Sequence, residues 1–149
     1  MRTIRTIVGL ALMAGALVAM APTASVAGCV DIQTVQFDYP GNDDFSNGSL
    51  NAEVVKIRNF CPKTVKLKGW TISDEDGQRY KFPKTNLAPK KSVKVHTGSG
   101  NNNAKNRYIG DNNYIWQNGT DTAFLRNKGG KLKSRCAWDD SDPGNSVVC

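Results

Sequence analysis

Short runs in which apolar and polar residues alternate one for one, broken by turn-forming residues, restrict this chain more than any other feature. In Val55-Lys56-Ile57-Arg58, Val65-Lys66-Leu67-Lys68 and Val93-Lys94-Val95 the aliphatic residues take one parity and the bases the other. Successive side chains of an extended strand point to opposite faces, so each run buries one row and leaves the other in water. No segment after residue 27 sustains an apolar period of 3.6. The pattern predicts strands over residues 30–38, 52–59, 64–67, 70–73, 79–82, 92–96, 114–116, 123–127 and 131–137. The expected fold is all-β, a sandwich or barrel of about eight or nine short strands. Asp76-Gly77 and Asn127-Lys128-Gly129-Gly130 suit tight hairpins, because glycine accepts a positive φ. Residues 39–50 and 97–111 are left as long loops.

The beginning of the chain obeys different rules. Arg2 and Arg5 precede an uncharged apolar run over residues 7–21, which Pro22 closes and Ser25-Val26-Ala27 follows. That order is the form of a secretory signal peptide, and the run is short of the about 20 apolar residues a spanning helix needs. Residues 1–27 are therefore expected to be a signal peptide and residues 28–149 one exported domain. The alternative is a lipid anchor, since Val26-Ala27-Gly28-Cys29 has the form of a lipobox ending at Cys29. Two observations favour simple secretion. Thr23 and Ser25 separate the box from the apolar run, and acylating one of four cysteines would leave an odd thiol.

Export implies an oxidising compartment, in which Cys29, Cys61, Cys136 and Cys149 would form two bridges. If the first two strands pair antiparallel around residues 39–50, paired positions sum to about 90, which sets Cys29 beside Cys61. Cys136 is then left for Cys149. Removing residues 1–27 takes away two arginines and no acid, so the net charge falls from +7 to +5. A moderate positive excess permits attraction to nucleic acid, teichoic acid or acidic lipid.

Few residues offer themselves for chemistry. His96 is the one histidine, and it ends an apolar strand with no nucleophile motif nearby. No Cys-x-x-Cys or His-x-x-x-His spacing suggests zinc. Calcium is left open at Asp74-Glu75-Asp76-Gly77 and Asp139-Asp140-Ser141-Asp142, neither of which has the EF-hand pattern. A candidate basic face comprises Lys56, Arg58, Lys66, Lys68 and Lys94. A candidate recognition loop comprises Asn101, Asn102, Asn103, Arg107 and Tyr108. The segment 116–130, which holds Gly119-Thr120-Asp121, is read as scaffolding, with Asp121 accepting backbone N–H bonds at a turn.

The order of motifs carries a resemblance. Glu53-Val54-Val55-x-Ile57-x-Asn59 is followed by Val65-x-Leu67-x-Gly69-Trp70-x-Ile72-x-Asp74. Tyr80-x-Phe82-Pro83, Leu87-Ala88-Pro89 and Val93-x-Val95-x-Thr97-Gly98-x-Gly100 come next, then Trp116, Asp121-Thr122-Ala123-x-Leu125, Gly130 and Cys136-x-Trp138. Together these resemble the lamin tail domain in its bacterial secreted form. The resemblance implies an immunoglobulin-like β-sandwich and an interaction module without catalytic residues. The sequence departs from the family at Thr120, where glycine is usual before the Asp-Thr-Ala step, and in Cys29 and Cys61, which are additions to the usual pattern. The expected function is thus a non-enzymatic secreted module, binding an extracellular or cell-surface protein or anionic polymer, with no cofactor. The competing readings are a small secreted hydrolase with an unrecognised site and weak nucleic-acid binding.

Overall fold

In a computed structural model describing residues 28–77 and 79–149, the alternating runs become two facing sheets. The predicted signal peptide, residues 1–27, lies outside the described residues. Eleven strands form among the described residues: β1 Val30–Gln36, β2 Val54–Asn59, β3 Val65–Lys66, β4 Thr71–Ser73, β5 Arg79–Lys81, β6 Asn86–Leu87, β7 Ser92–His96, β8 Asn106–Tyr108, β9 Asp121–Arg126, β10 Leu132–Trp138 and β11 Ser146–Val148. One helical turn, α1, spans Asn47–Leu50. The first sheet runs β11-β1-β2-β7-β8, the second β10-β9-β4-β5, and β3-β6 makes a separate two-stranded ribbon. Pairing is antiparallel except between β7 and β8. No helix among the described residues is long and apolar enough to cross a membrane.

The core is where the two inner faces meet. Val35, Val55, Ile57, Val93 and Val95 of the first sheet are buried together with Ile72, Ala123, Leu125 and Trp138 of the second. Strand β1 needs a correction to its period to contribute fully. Val30 and Ile32 are buried, and so are Val35 and Phe37, a change of parity along one stretch of chain. A β-bulge resolves it: the register passes from Ile32 opposite Ile57 to Thr34 opposite Lys56, leaving Gln33 as the extra residue. At the bulge the Ile32 N–H donates to Ser134 Oγ on β10 at 3.1 Å, and the Gln33 carbonyl accepts the Cys149 N–H at 3.0 Å.

The structure corrects the predicted elements in two ways. Residues 114–116 are not a strand. The N–H groups of Ile115 and Trp116 donate to the Glu53 carboxylate, at 3.0 and 3.2 Å, rather than to a neighbouring chain. Conversely β6, β8 and β11 lie where no strand was expected, which raises the number above eight or nine. Each is only two or three residues long, too short to display an alternation. The 39–50 loop ends in α1, whose N-cap Ser46 accepts the Ser49 N–H at 3.2 Å. Both expected hairpins form, with Gly77 at φ +89 and Gly130 at φ +81.

The cysteines pair as the strand geometry requires. Cys29 is bonded to Cys61, with Cα atoms 4.9 Å apart, and Cys136 to Cys149, at 5.5 Å. The second bridge ties the end of β11 to β10, while β11 itself covers β1 at Thr34, Val35 and Gln36. Replacing Cys136 and Cys149 together by serine should lower the unfolding free energy by about 3 kcal/mol, the usual effect of opening a loop of this length. Urea denaturation measures the loss, and hydrogen exchange should quicken first at Val147 and Val148.

Candidate functional site

The outer face of the first sheet is built by the polar parity of β2 and β7. Val55 and Ile57 point inward, so Lys56 points outward, and Lys94 does the same between Val93 and Val95. The register sets Lys56 directly opposite Lys94, and Lys94 beside Asn106 on β8. Like charges facing each other across a ladder are unfavourable. A groove of about 610 Å³ opens over this row, lined by Lys56, Lys90, Lys91, Lys94 and Lys105 with Asn106. Leu87 and Ala88 supply an apolar wall. Among the described residues no aspartate or glutamate lines it.

One of these lysines is held in an unusual backbone conformation. The Lys91 N–H donates to the Ala88 carbonyl at 3.1 Å, closing a turn with Pro89 second and Lys90 third. Lys90 has φ +62, the left-handed region that this turn position normally gives to glycine. A side chain there costs about 1 kcal/mol. The turn is fastened to β2, because the Lys90 N–H donates to the Asn59 carbonyl and the Asn59 N–H to the Lys91 carbonyl.

The five residues of the predicted basic face are thus divided. Lys56 and Lys94 meet in the groove. Arg58 lies opposite Asp31 on β1 and its guanidinium sits 5.3 Å from the Phe60 ring centroid. Lys66 stands on the β3-β6 ribbon opposite Asn86. Lys68 enters a second basin, of about 430 Å³, with Lys81 and Lys128 around Phe82 and Pro83. Lys90, Lys91 and Lys105 complete the groove without any periodic signal, since they come from turns.

The residues of the predicted recognition loop are largely occupied with holding the chain. Asn102 Oδ1 accepts the Tyr108 N–H at 3.0 Å, and Asn103 Oδ1 accepts the N–H groups of Lys105 and Asn106 at 2.9 and 3.0 Å. Asn101 is exposed. Arg107 is buried, with its guanidinium donating to Thr85 Oγ1 at 3.1 Å and to the Asn106 carbonyl at 2.9 Å. Tyr108 stacks on His96 at 4.9 Å and closes over Gly100, where a Cβ would meet the ring at 2.5 Å. Both nitrogens of His96 are engaged, Nδ1 with the Asn51 carbonyl at 2.8 Å and Nε2 with Asn106 Oδ1 at 3.0 Å. The imidazole therefore braces β7 against the C-terminal end of α1 and against β8.

Acidic groups collect at the other end of the strands. Gln117 donates to Asp76 at 3.0 Å, Asn118 donates to Asp38 at 3.1 Å, and Asp140 lies against Gly119. Among the described residues no group of three or more His, Cys, Asp or Glu side chains is placed to hold a metal ion. In the Asp139–Asp142 turn, Asp139 Oδ1 accepts from Ser141 and Asp142 Oδ2 from the Asp139 N–H. Asp121 likewise serves the backbone, accepting from Gln117 and Thr122, while Trp138 Nε1 donates to the Gln117 carbonyl at 2.8 Å.

The immunoglobulin-like frame, whose histidine and several of whose aspartates hold turns and strand ends, is that of a class of interaction modules that are generally non-catalytic. A family model described as Lamin Tail Domain matches residues 23–140, most of the chain, and the protein belongs to that family. No curated protein matches it. Strand β11 and Cys149 lie beyond the matched residues.

Glu53, first residue of the family-like Glu-Val-Val motif, is the most deeply buried of three buried acids among the described residues, the others being Asp74 and Asp121. Burial pushes its carboxyl up to about 7, against the opposing effect of the Ile115 and Trp116 N–H groups. Because that value lies above the ordinary 4.5, the native protein keeps a proton that the unfolded chain has lost between about pH 4.5 and 7. The stability linked to this proton is full below pH 4.5 and is lost as the pH rises through about 7. Thermal unfolding should therefore show Tm falling across this interval. Glu53→Gln should abolish that dependence, and should lower Tm at acid pH because Ile115 and Trp116 donate to different oxygens and the NH2 that replaces one of them cannot accept.

Proposed function

We propose that the protein is an exported, non-enzymatic module that attaches to an anionic extracellular or cell-surface polymer through the lysine groove. The observation that carries this reading is the groove itself: five lysines, two of them directly opposed, with no carboxylate among its described lining residues. Both the opposed pair and the left-handed Lys90 lower the stability of the free protein, and a bound anion would relieve the first of these directly. Export is supported by the signal-peptide pattern of residues 1–27 and by two disulfides, which persist in oxidising compartments. The Cys29 sulfur is bonded to Cys61, which supports release over lipid attachment at that thiol.

Binding to an immobilised polyanion should weaken steeply with salt. Replacing Lys56 and Lys94 by alanine should flatten the plot of log affinity against log salt by about 1 for each phosphate left unneutralised. The same variant should unfold at equal or higher denaturant concentration. Lys90→Gly should be more stable than the parent by about 1 kcal/mol and bind less tightly. Binding that is insensitive to salt, or unchanged in all three substitutions, would refute the assignment.

A further inference from the structure

We infer that the ligand is a flexible, linear phosphate-bearing chain without nucleobases, long enough to occupy both lysine basins at once. This rests on the reading of the groove as an anion-binding surface and adds the second basin and the ligand's chemistry.

The two basins are ends of one structural unit. Val65 lies opposite Leu87 and Lys66 opposite Asn86. Beyond the strands the ladder continues, with the Leu67 N–H donating to the Thr85 carbonyl at 2.8 Å and the Gly69 N–H to the Phe82 carbonyl at 2.9 Å. At one end of this ribbon Asn86 and Leu87 wall the groove. At the other, Gly69 and Phe82 wall the basin of Lys68, Lys81 and Lys128. Lys66 and Lys84, both exposed, stand on the ribbon between. Lys84 and Thr85 separate Pro83, a wall of one basin, from Asn86, a wall of the other, a span of at most about 10 Å of chain. Among the described residues neither basin is lined by an acid, whereas Asp38, Asp76 and Asp140 surround residues 117–119 at the opposite end of the strands.

The residues also limit what can lie there. Each basin is open and presents solvated ammonium groups, so a small anion in either one would exchange freely. A chain that engages one basin raises the local concentration of its own charges at the other, multiplying affinity without any new contact. Lysine is a compact charge on a flexible stem and makes no demand for bidentate geometry, which suits phosphate oxygens at variable positions. No aromatic lines either basin except Phe82, which is buried, so nothing is available for bases to stack on. Because the ribbon stands between the basins, the ligand must bend across it, which favours a flexible chain over a stiff one.

The test uses the exported form of the full domain and four probes: tripolyphosphate, long-chain inorganic polyphosphate, heparin and single-stranded DNA of matched total charge. Affinities come from competition at fixed ionic strength. Long-chain polyphosphate should bind at least about 100-fold more tightly than tripolyphosphate. Alanine at Lys56 and Lys94, or separately at Lys68 and Lys128, should remove most of that gain. All four side chains reach solvent, and circular dichroism verifies the fold of each variant. Equal affinity for short and long phosphate, or indifference to the Lys68 and Lys128 substitutions, would overturn the two-basin ligand while leaving the groove's function intact. Tighter binding of DNA or heparin would overturn the ligand chemistry. Failure of every probe to bind would overturn the groove reading itself.

Discussion

The pleat of β2 and β7 is the constraint on which the rest of the molecule depends. Two strands of alternating aliphatic and lysine residues cannot bury Val55, Ile57, Val93 and Val95 without setting Lys56 and Lys94 side by side in water. Core and groove are therefore two faces of one pattern. A slip of the register by one residue would turn lysines into the core and valines out, so the hydrophobic contacts that hold the sandwich also hold the charge row in place.

The polar groups of the interior perform a different task, which is to attach irregular segments to this pleated frame. Glu53 supplies acceptors to a stretch that has no strand partner. Asn59 is saturated at the far end of β2: its side-chain amide donates to the carbonyls of Lys63 and Leu87 at 2.8 Å, and its side-chain oxygen accepts the Cys61 N–H at 2.8 Å. Buried polar side chains that are fully bonded specify one arrangement of the loops around them. The Lys90 turn is fastened to β2 through the backbone of Asn59, so that asparagine helps to set the shape of the groove.

Much of this was legible in the sequence, because a strand with one buried face declares itself over four or more residues. Strand β7 is found at residues 92–96 as the alternation predicts, and the disulfide pairing follows from an antiparallel β1-β2 hairpin. Two kinds of feature were hidden. Short strands such as β6 and β8 are made by tertiary pairing and leave no periodic trace. Side chains drawn from turns, including Lys90, Lys91 and Lys105, converge on Lys56 and Lys94 only once the chain has folded. Arg107 misleads for a related reason: an arginine in a polar loop suggests contact with a ligand, yet the parallel pairing of β8 with β7 carries it inward to Thr85. The left-handed φ of Lys90 had a faint signal in Ala88-Pro89-Lys90-Lys91, a turn sequence that lacks the customary glycine.

The strand at the end of the chain has a consequence for how the protein behaves in company. β11 lies along the outer margin of β1, and Cys149, the residue that follows it, is bonded to Cys136 on the other sheet. Unpaired margins of sheets are where separate molecules join into aggregates. β11 thus acts as a guard rail kept shut by oxidation. Without that bond the margin of β1 would be covered only by the noncovalent contacts of a three-residue strand.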